Sequence, residues 1–133
     1  MALSTDRNTP KKDSRLLSAP VAAGAKIYAG ALVAASATGY AAPGSAVDTL
    51  TAIGRANEQV DNTDGADGDL HVEVEHDKEF WFFNSATDAV TQAEFGKDCY
   101  IEDDETVCKT AAGKSVAGRV TGLENGGVWV YIP

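Results

Sequence analysis

The sequence predicts a mostly-β domain, a sandwich or compact small β-barrel of about eight to ten short strands with at most one short helix and an extended N-terminal arm. Three observations predict it. Leucine is scarce while alanine, valine, glycine and threonine are plentiful, a mix that suits short strands better than helices. Glycine, proline and Asx turn signals recur at short spacing from Val21 onward. "LHVEVEH", starting at Leu70, alternates with a period of two: Leu70, Val72 and Val74 on one face, His71, Glu73 and Glu75 on the other. At 133 residues and 44% hydrophobic content the chain can bury a core without metal or disulfide support.

The elements follow in order. Residues 1–20 are polar, charged and interrupted by Pro10 and Pro20, and read as an arm that is disordered in the free protein. That arm is either a frayed terminus or a segment that orders on a partner. In the second case Leu16 and Leu17 are its anchor, and Lys11, Lys12 and Arg15 steer it to an acidic surface. Residues 21–133 form the β domain. "AKIYAGALVAASATGYAAPG" gives three strands separated by turns at Gly30 and Gly39, then a turn at Pro43–Gly44. "LTAIGRANEQV" carries Gly54 in mid-run, the mark of a bulge or a close backbone approach. "EFWFFN" is apolar on both faces. "SATDAVTQAEFG" is the one candidate helix, capped by Ser85 or Thr87 and ended by Gly96. "DCYIEDDETVCK" reads as a hairpin turning at Asp103–Asp104, and "KSVAGRVTGL" with "GGVWVYIP" as a final pair joined near Glu124–Gly127.

Charge narrows the function classes. The first fifteen residues carry four basic and two acidic side chains, a net of +2; the rest carry seven basic and eighteen acidic, a net of −11. An acidic body is repelled by phosphates, which argues against DNA or RNA as partner. The longest apolar run, "IYAGALVAA" from Ile27, is far shorter than the roughly 20 residues of a membrane helix. The polar start lacks the apolar stretch of a secretion signal, so synthesis in the cytoplasm is expected.

Four stretches could hold chemistry. "VDNTDGADGD", Val60 to Asp69, looks like a calcium loop. A frame starting at Asp61 puts Thr63 and Gly65 at the next two ligand positions, and one starting at Asp64 puts Ala66 and Gly68 there. Neither works, and the stretch reads as a pair of turns. The His71/Glu73/Glu75 face could hold a divalent metal, but a solvated outer strand face accounts for it fully. There is no HExxH, CxxC pair, P-loop or GxSxG elbow. Cys99 and Cys108 oppose each other if the hairpin turns at Asp103–Asp104. They are then a cross-strand thiol pair, reduced in the cytoplasm and able to oxidise after release. Finally, Trp81 and Phe83 fall on the strand face opposite Phe80 and Phe82. A domain of this size is expected to have one core, so Trp81 and Phe83 are expected at a subunit interface. No catalytic residue, cofactor or metal is assigned.

The ordered segments "VAAGAKIYAGALVAASATGYAAPG", "AIGRANEQVDNTDGADGDLHVEVE", "CYIEDDETV" and "SVAGRVTGLENGGVWVYI" resemble head decoration (capsid cement) proteins of tailed bacteriophages, over about residues 20–133. The resemblance implies a β-tulip-like fold on the outer capsid surface of the virion, a homotrimer, and the major capsid protein as partner. It implies no active site, and an arm that adds a strand to the capsid protein. The alternatives are another virion subunit (tail or fibre base), a host-surface binding module, or a metal-dependent enzyme using the His71 face.

Overall fold

Short runs of alternating residues become twelve strands in the computed structural model, which describes residues 1–133. The fold is mostly β, as the composition predicts. The strands are β1 (Leu16–Pro20), β2 (Lys26–Ile27), β3 (Leu32–Ala35), β4 (Ala41–Pro43), β5 (Thr51–Ala56), β6 (Val60–Asp61), β7 (His71–Glu75), β8 (Lys78–Asn84), β9 (Asp98–Ile101), β10 (Thr106–Cys108), β11 (Val116–Glu124) and β12 (Gly127–Ile132). They build an open sheet in the order β1-β7-β5-β3-β4, a closed barrel β10-β8-β12-β11-β9, and the small β2-β6 pair.

Local chemistry explains the joints. Asn125 and Gly126 take positive φ, 54° and 76°, which the tight β11–β12 hairpin requires and an Asn-Gly pair supplies. The register of β11 shifts twice, between Val116 and Gly118 against β9 and between Val120 and Gly122 against β12. Such bulges add bend and twist, which a barrel of five strands needs in order to close. In β5 the register skips at Ile53, and Gly54 has a φ of 148°. A Cβ on Gly54 would overlap the Glu75 carbonyl, so the close approach read from the sequence is real.

Two cores form where one was expected. The barrel interior holds Phe80, Phe82, Cys99, Ile101, Val120, Val128 and Val130 among others, and the open sheet covers it with Leu32 and Ala34. Beneath the other face of that sheet lie Val21, Ile27, Val33, Ala56, Val72 and Val74. Neither core takes in the other face of β8: Trp81 is half-buried and Phe83 exposed, outside both clusters.

Other expectations are corrected. The arm ends near Arg15 and not at residue 20, because Leu16–Pro20 pairs with β7 as the edge strand of the open sheet. Leu17 packs on the second core and is not a free anchor, while Leu16 keeps its side chain exposed on β1. Leu70 precedes β7 and is exposed, although alternation placed it with Val72 and Val74. The candidate helix is reduced to a single 3-10 turn, Gln92–Glu94, capped by Thr91. Side chains capture the backbone there first. Asn84 bonds both the N–H and the C=O of Val90 at 2.8 Å, which sends Val90 into the barrel core. The Ser85 hydroxyl accepts from the Asp88 N–H at 3.0 Å. The β9–β10 hairpin pairs Ile101 with Val107 and Cys108 with Tyr100, one residue off the expected register. The slip follows from the Asp103 carboxylate, which accepts the Glu105 N–H at 2.9 Å and lengthens the turn. A one-residue slip flips a side chain across the sheet. Cys99 therefore faces the barrel core while Cys108 is buried outside that cluster, and the two are free thiols rather than an opposed pair.

Three outcomes follow. Leu32→Ala should cost about 3 kcal/mol in chemical denaturation, since its side chain is fully buried at the barrel–sheet contact. Both cores share β3, so Trp fluorescence from the barrel and far-UV circular dichroism from the whole chain should trace one coincident transition. Burial pushes the Cys99 thiol up to about 12 and also raises Cys108, so neither should react with a thiol reagent at neutral pH until denaturant is added.

Candidate interaction surface

Strand alternation on β8 sends Phe80 and Phe82 inward and leaves Trp81 and Phe83 on the outer wall of the barrel. Trp81 stands opposite Trp129 of β12, and its indole N–H donates to the Glu124 carbonyl at 2.9 Å. The ring lies over Gly127, where any Cβ would overlap it. Phe83 meets Trp81 edge-on, with centroids 5.0 Å apart and planes at 71°. That geometry fixes both rings without burying them. The expected grouping of Trp81 with Phe83 is thus found, on a face that remains accessible.

Beside this wall a cleft of about 340 Å³ separates the barrel from the β2–β3 turn. Tyr28, Gly30 and Ala31 line one side, Trp81 and Phe83 the other, and Asp104 with Glu105 close the rim. Tyr28 and Phe83 are 55% and 50% exposed, well above what a core aromatic shows. The Leu32 N–H donates to the Asp104 carbonyl at 2.8 Å, which holds the rim against the sheet. Partial burial, followed by repulsion from Asp103, raises the Asp104 carboxyl above its ordinary value. The Lys26 ammonium sits 5.1 Å from the Tyr28 ring centre, a cation–π contact made within the chain. Sequence reasoning missed Tyr28, Asp104 and Glu105. Only Tyr28 left a signal: it follows inward-facing Ile27 by one residue and so points outward.

The arm is the second accessible feature. Residues 1–13 are exposed and form no strand or helix, and Lys11 and Lys12 lie there. Order begins at Ser14 and Arg15, whose hydroxyl and carbonyl meet His76.

The acidic loop is tied up in its own backbone. Asp67 accepts the Ala23 N–H at 2.8 Å, Asp69 the Ala66 N–H at 2.9 Å, and Asp61 both the N–H and the hydroxyl of Thr63. Its centre is Asn62, which is buried. The Asn62 amide donates to the carbonyls of Val21, Ala22 and Ala66 at 3.4, 3.0 and 3.0 Å. The pair of turns read from the sequence is therefore present, and Asn62 adds an unforeseen bond to the start of the β domain. On the outer face of β7 each side chain has its own neighbour: His71 meets Ser18, Glu73 accepts from Asn57, and Glu75 pairs with Lys78 at 2.6 Å. These three do not converge on a common point.

The chain matches no protein-family model, no curated protein and no solved structure.

Replacing Asn62 with alanine should remove a shared side-chain donor from three carbonyls, each of which keeps a backbone donor, and cost about 1 kcal/mol. The same change should open the 62–69 loop to limited proteolysis, whereas Asp64→Ala, with no such bonds, should do neither.

Proposed function

We propose that this chain is a structural virion protein that binds the outer surface of a phage capsid as a homotrimer and stabilises the shell by clamping neighbouring major capsid subunits. One observation carries the reading. A basic, exposed arm runs directly into β1, the edge strand of an acidic β body. An extended segment that leaves a sheet edge is placed to add backbone hydrogen bonds to a partner's strand. Such bonds tolerate changes in side chains, while Lys11, Lys12 and Arg15 supply attraction to an acidic surface. The accessible aromatic wall around Trp81 and Phe83 supports a subunit contact.

Clamping follows from multiplicity. One arm of about thirteen residues buries little surface, and its contact with the shell is weak. Three arms on one trimer bind as a unit, because the first contact raises the effective concentration of the others. Grip on adjacent capsid subunits then resists the outward pressure of packaged DNA. The role needs no catalytic group, cofactor or metal.

The test is a truncation placed by the structure. A chain lacking residues 2–13 keeps β1 whole and should fold with unchanged circular dichroism, yet fail to co-sediment with empty shells. Full binding by the truncated chain refutes the reading. Binding by the intact chain should weaken as salt rises, since exposed charges steer it.

A further inference from the structure

Three aromatic side chains of the chain are strongly exposed: Tyr28, Phe83 and Phe95. Two of them line the acidic cleft. The third stands elsewhere, on the turn that enters β9. In the barrel order β9 is separated from β8 by β10 on one side and by β11 and β12 on the other, so Phe95 and the cleft occupy different walls.

Phe95 is held rigidly. Its N–H donates to the Gln92 carbonyl at 3.1 Å, the Gly96 N–H to Val120 at 2.8 Å, and the Val120 N–H to Lys97 at 2.9 Å. Thr91 engages Glu94 through both its N–H and its hydroxyl, at 2.8 and 2.9 Å. Lys97, two residues from Phe95, has no ion-pair partner; the one salt bridge of the chain is Lys78–Glu75. An exposed ring and a lysine in no salt bridge thus rise from one hydrogen-bonded turn, which also carries Glu94. A projection already fixed loses little entropy when it docks.

The cleft is its complement. Its walls are aromatic, its rim is Asp104 and Glu105, and no basic residue lines it. Burial, and then repulsion from Asp103, raises the Asp104 carboxyl, with no cation acting against either. At about 340 Å³ the space takes one aromatic side chain with an ammonium at its mouth. Two clefts facing each other across a two-fold axis would set Asp104 and Glu105 against their own copies, and like charges there repel.

We propose that the cleft receives Phe95 and Lys97 of a second copy of this chain. The ring packs between Tyr28, Trp81 and Phe83, and the ammonium pairs with Asp104 and Glu105. Knob and cleft lie on different walls, so the contact is head-to-tail and closes into a ring when its rotation divides the circle. This rests on the trimeric reading above and names the surfaces that build it.

Sedimentation of the full chain should show a closed trimer. Phe95→Ser, Lys97→Glu and Phe83→Ser change exposed or rim positions and should each fold normally while weakening assembly by roughly tenfold or more. Asp104→Lys should restore assembly to the Lys97→Glu chain. A mixture of Phe95→Ser and Phe83→Ser copies retains one good knob and one good cleft, and should stop at one-to-one dimers. Deleting residues 2–13 should leave the trimer intact. A monomeric wild type, variants that assemble as well as the wild type, or loss of the trimer on deleting the arm would each overturn the inference. Shell co-sedimentation separates the two readings. A trimer whose knob and cleft variants still assemble sinks this contact alone. A monomer that still coats shells sinks the contact and the trimer but not shell binding, and a trimer that ignores shells sinks the shell-binding role alone.

Discussion

Both cores depend on one strand. β3, only four residues long, buries Leu32 and Ala34 against the barrel and Val33 against the second core. It has no solvent face, and its backbone bonds β4 on one side and β5 on the other. Small side chains make this possible. Alanine at position 34 lets the sheet approach the barrel closely, and a larger residue there would force the two layers apart. The Leu32 N–H reaches across to Asp104, so the barrel's own hairpin is bonded to the same strand. The hydrophobic effect drives both burials, and β3 couples them into one folding unit.

Around that strand, the loops are held by polar side chains that bond backbone rather than one another. Asn62 closes the acidic loop onto Val21 and Ala22, Asn84 fixes Val90, and Ser115 donates to Val47 at 2.6 Å while accepting from Leu50 at 3.0 Å. All buried side-chain polar atoms have partners. This matters because a short-stranded domain leaves much of its backbone outside ladders, and each unpaired buried group is costly. The same bonds hold the loops still, which is what leaves the β9–β10 rim and the Phe95 turn as fixed shapes on the surface.

The surface then divides by chemistry. The arm is basic and open, the body acidic, and the barrel wall aromatic. Acidic side chains that accept from backbone N–H groups, such as Asp88 from Thr110 and Glu94 from Thr91, serve turns and caps. The sequence-level suspicion of a metal loop came from composition. The structure spends Asp61, Asp67 and Asp69 on backbone N–H groups, which is the ordinary use of Asx residues in turns.

Local pattern determined much of this. The alternation of β7 and β8, the Asn125–Gly126 turn, the close approach at Gly54 and the outward placing of Trp81 and Phe83 all depend on neighbours within a few residues. Such features are written in the sequence because backbone geometry repeats with a period of two and because glycine alone tolerates certain φ values or contacts. Tertiary structure decided what depends on distant partners. The pairing of Leu16–Pro20 with β7 spans more than fifty residues and removed Leu17 from the arm. The one-residue hairpin slip parted Cys99 from Cys108, and Asn84 unmade a helix that propensity favoured. A second core formed because β3 could be buried on both faces. The β1–β7 pairing and the second core rest on contacts that no short window of sequence contains. The hairpin slip and the lost helix turn instead on side-chain bonds two and six residues apart, Asp103 with Glu105 and Asn84 with Val90, which outweigh local propensities worth less than about 1 kcal/mol per residue.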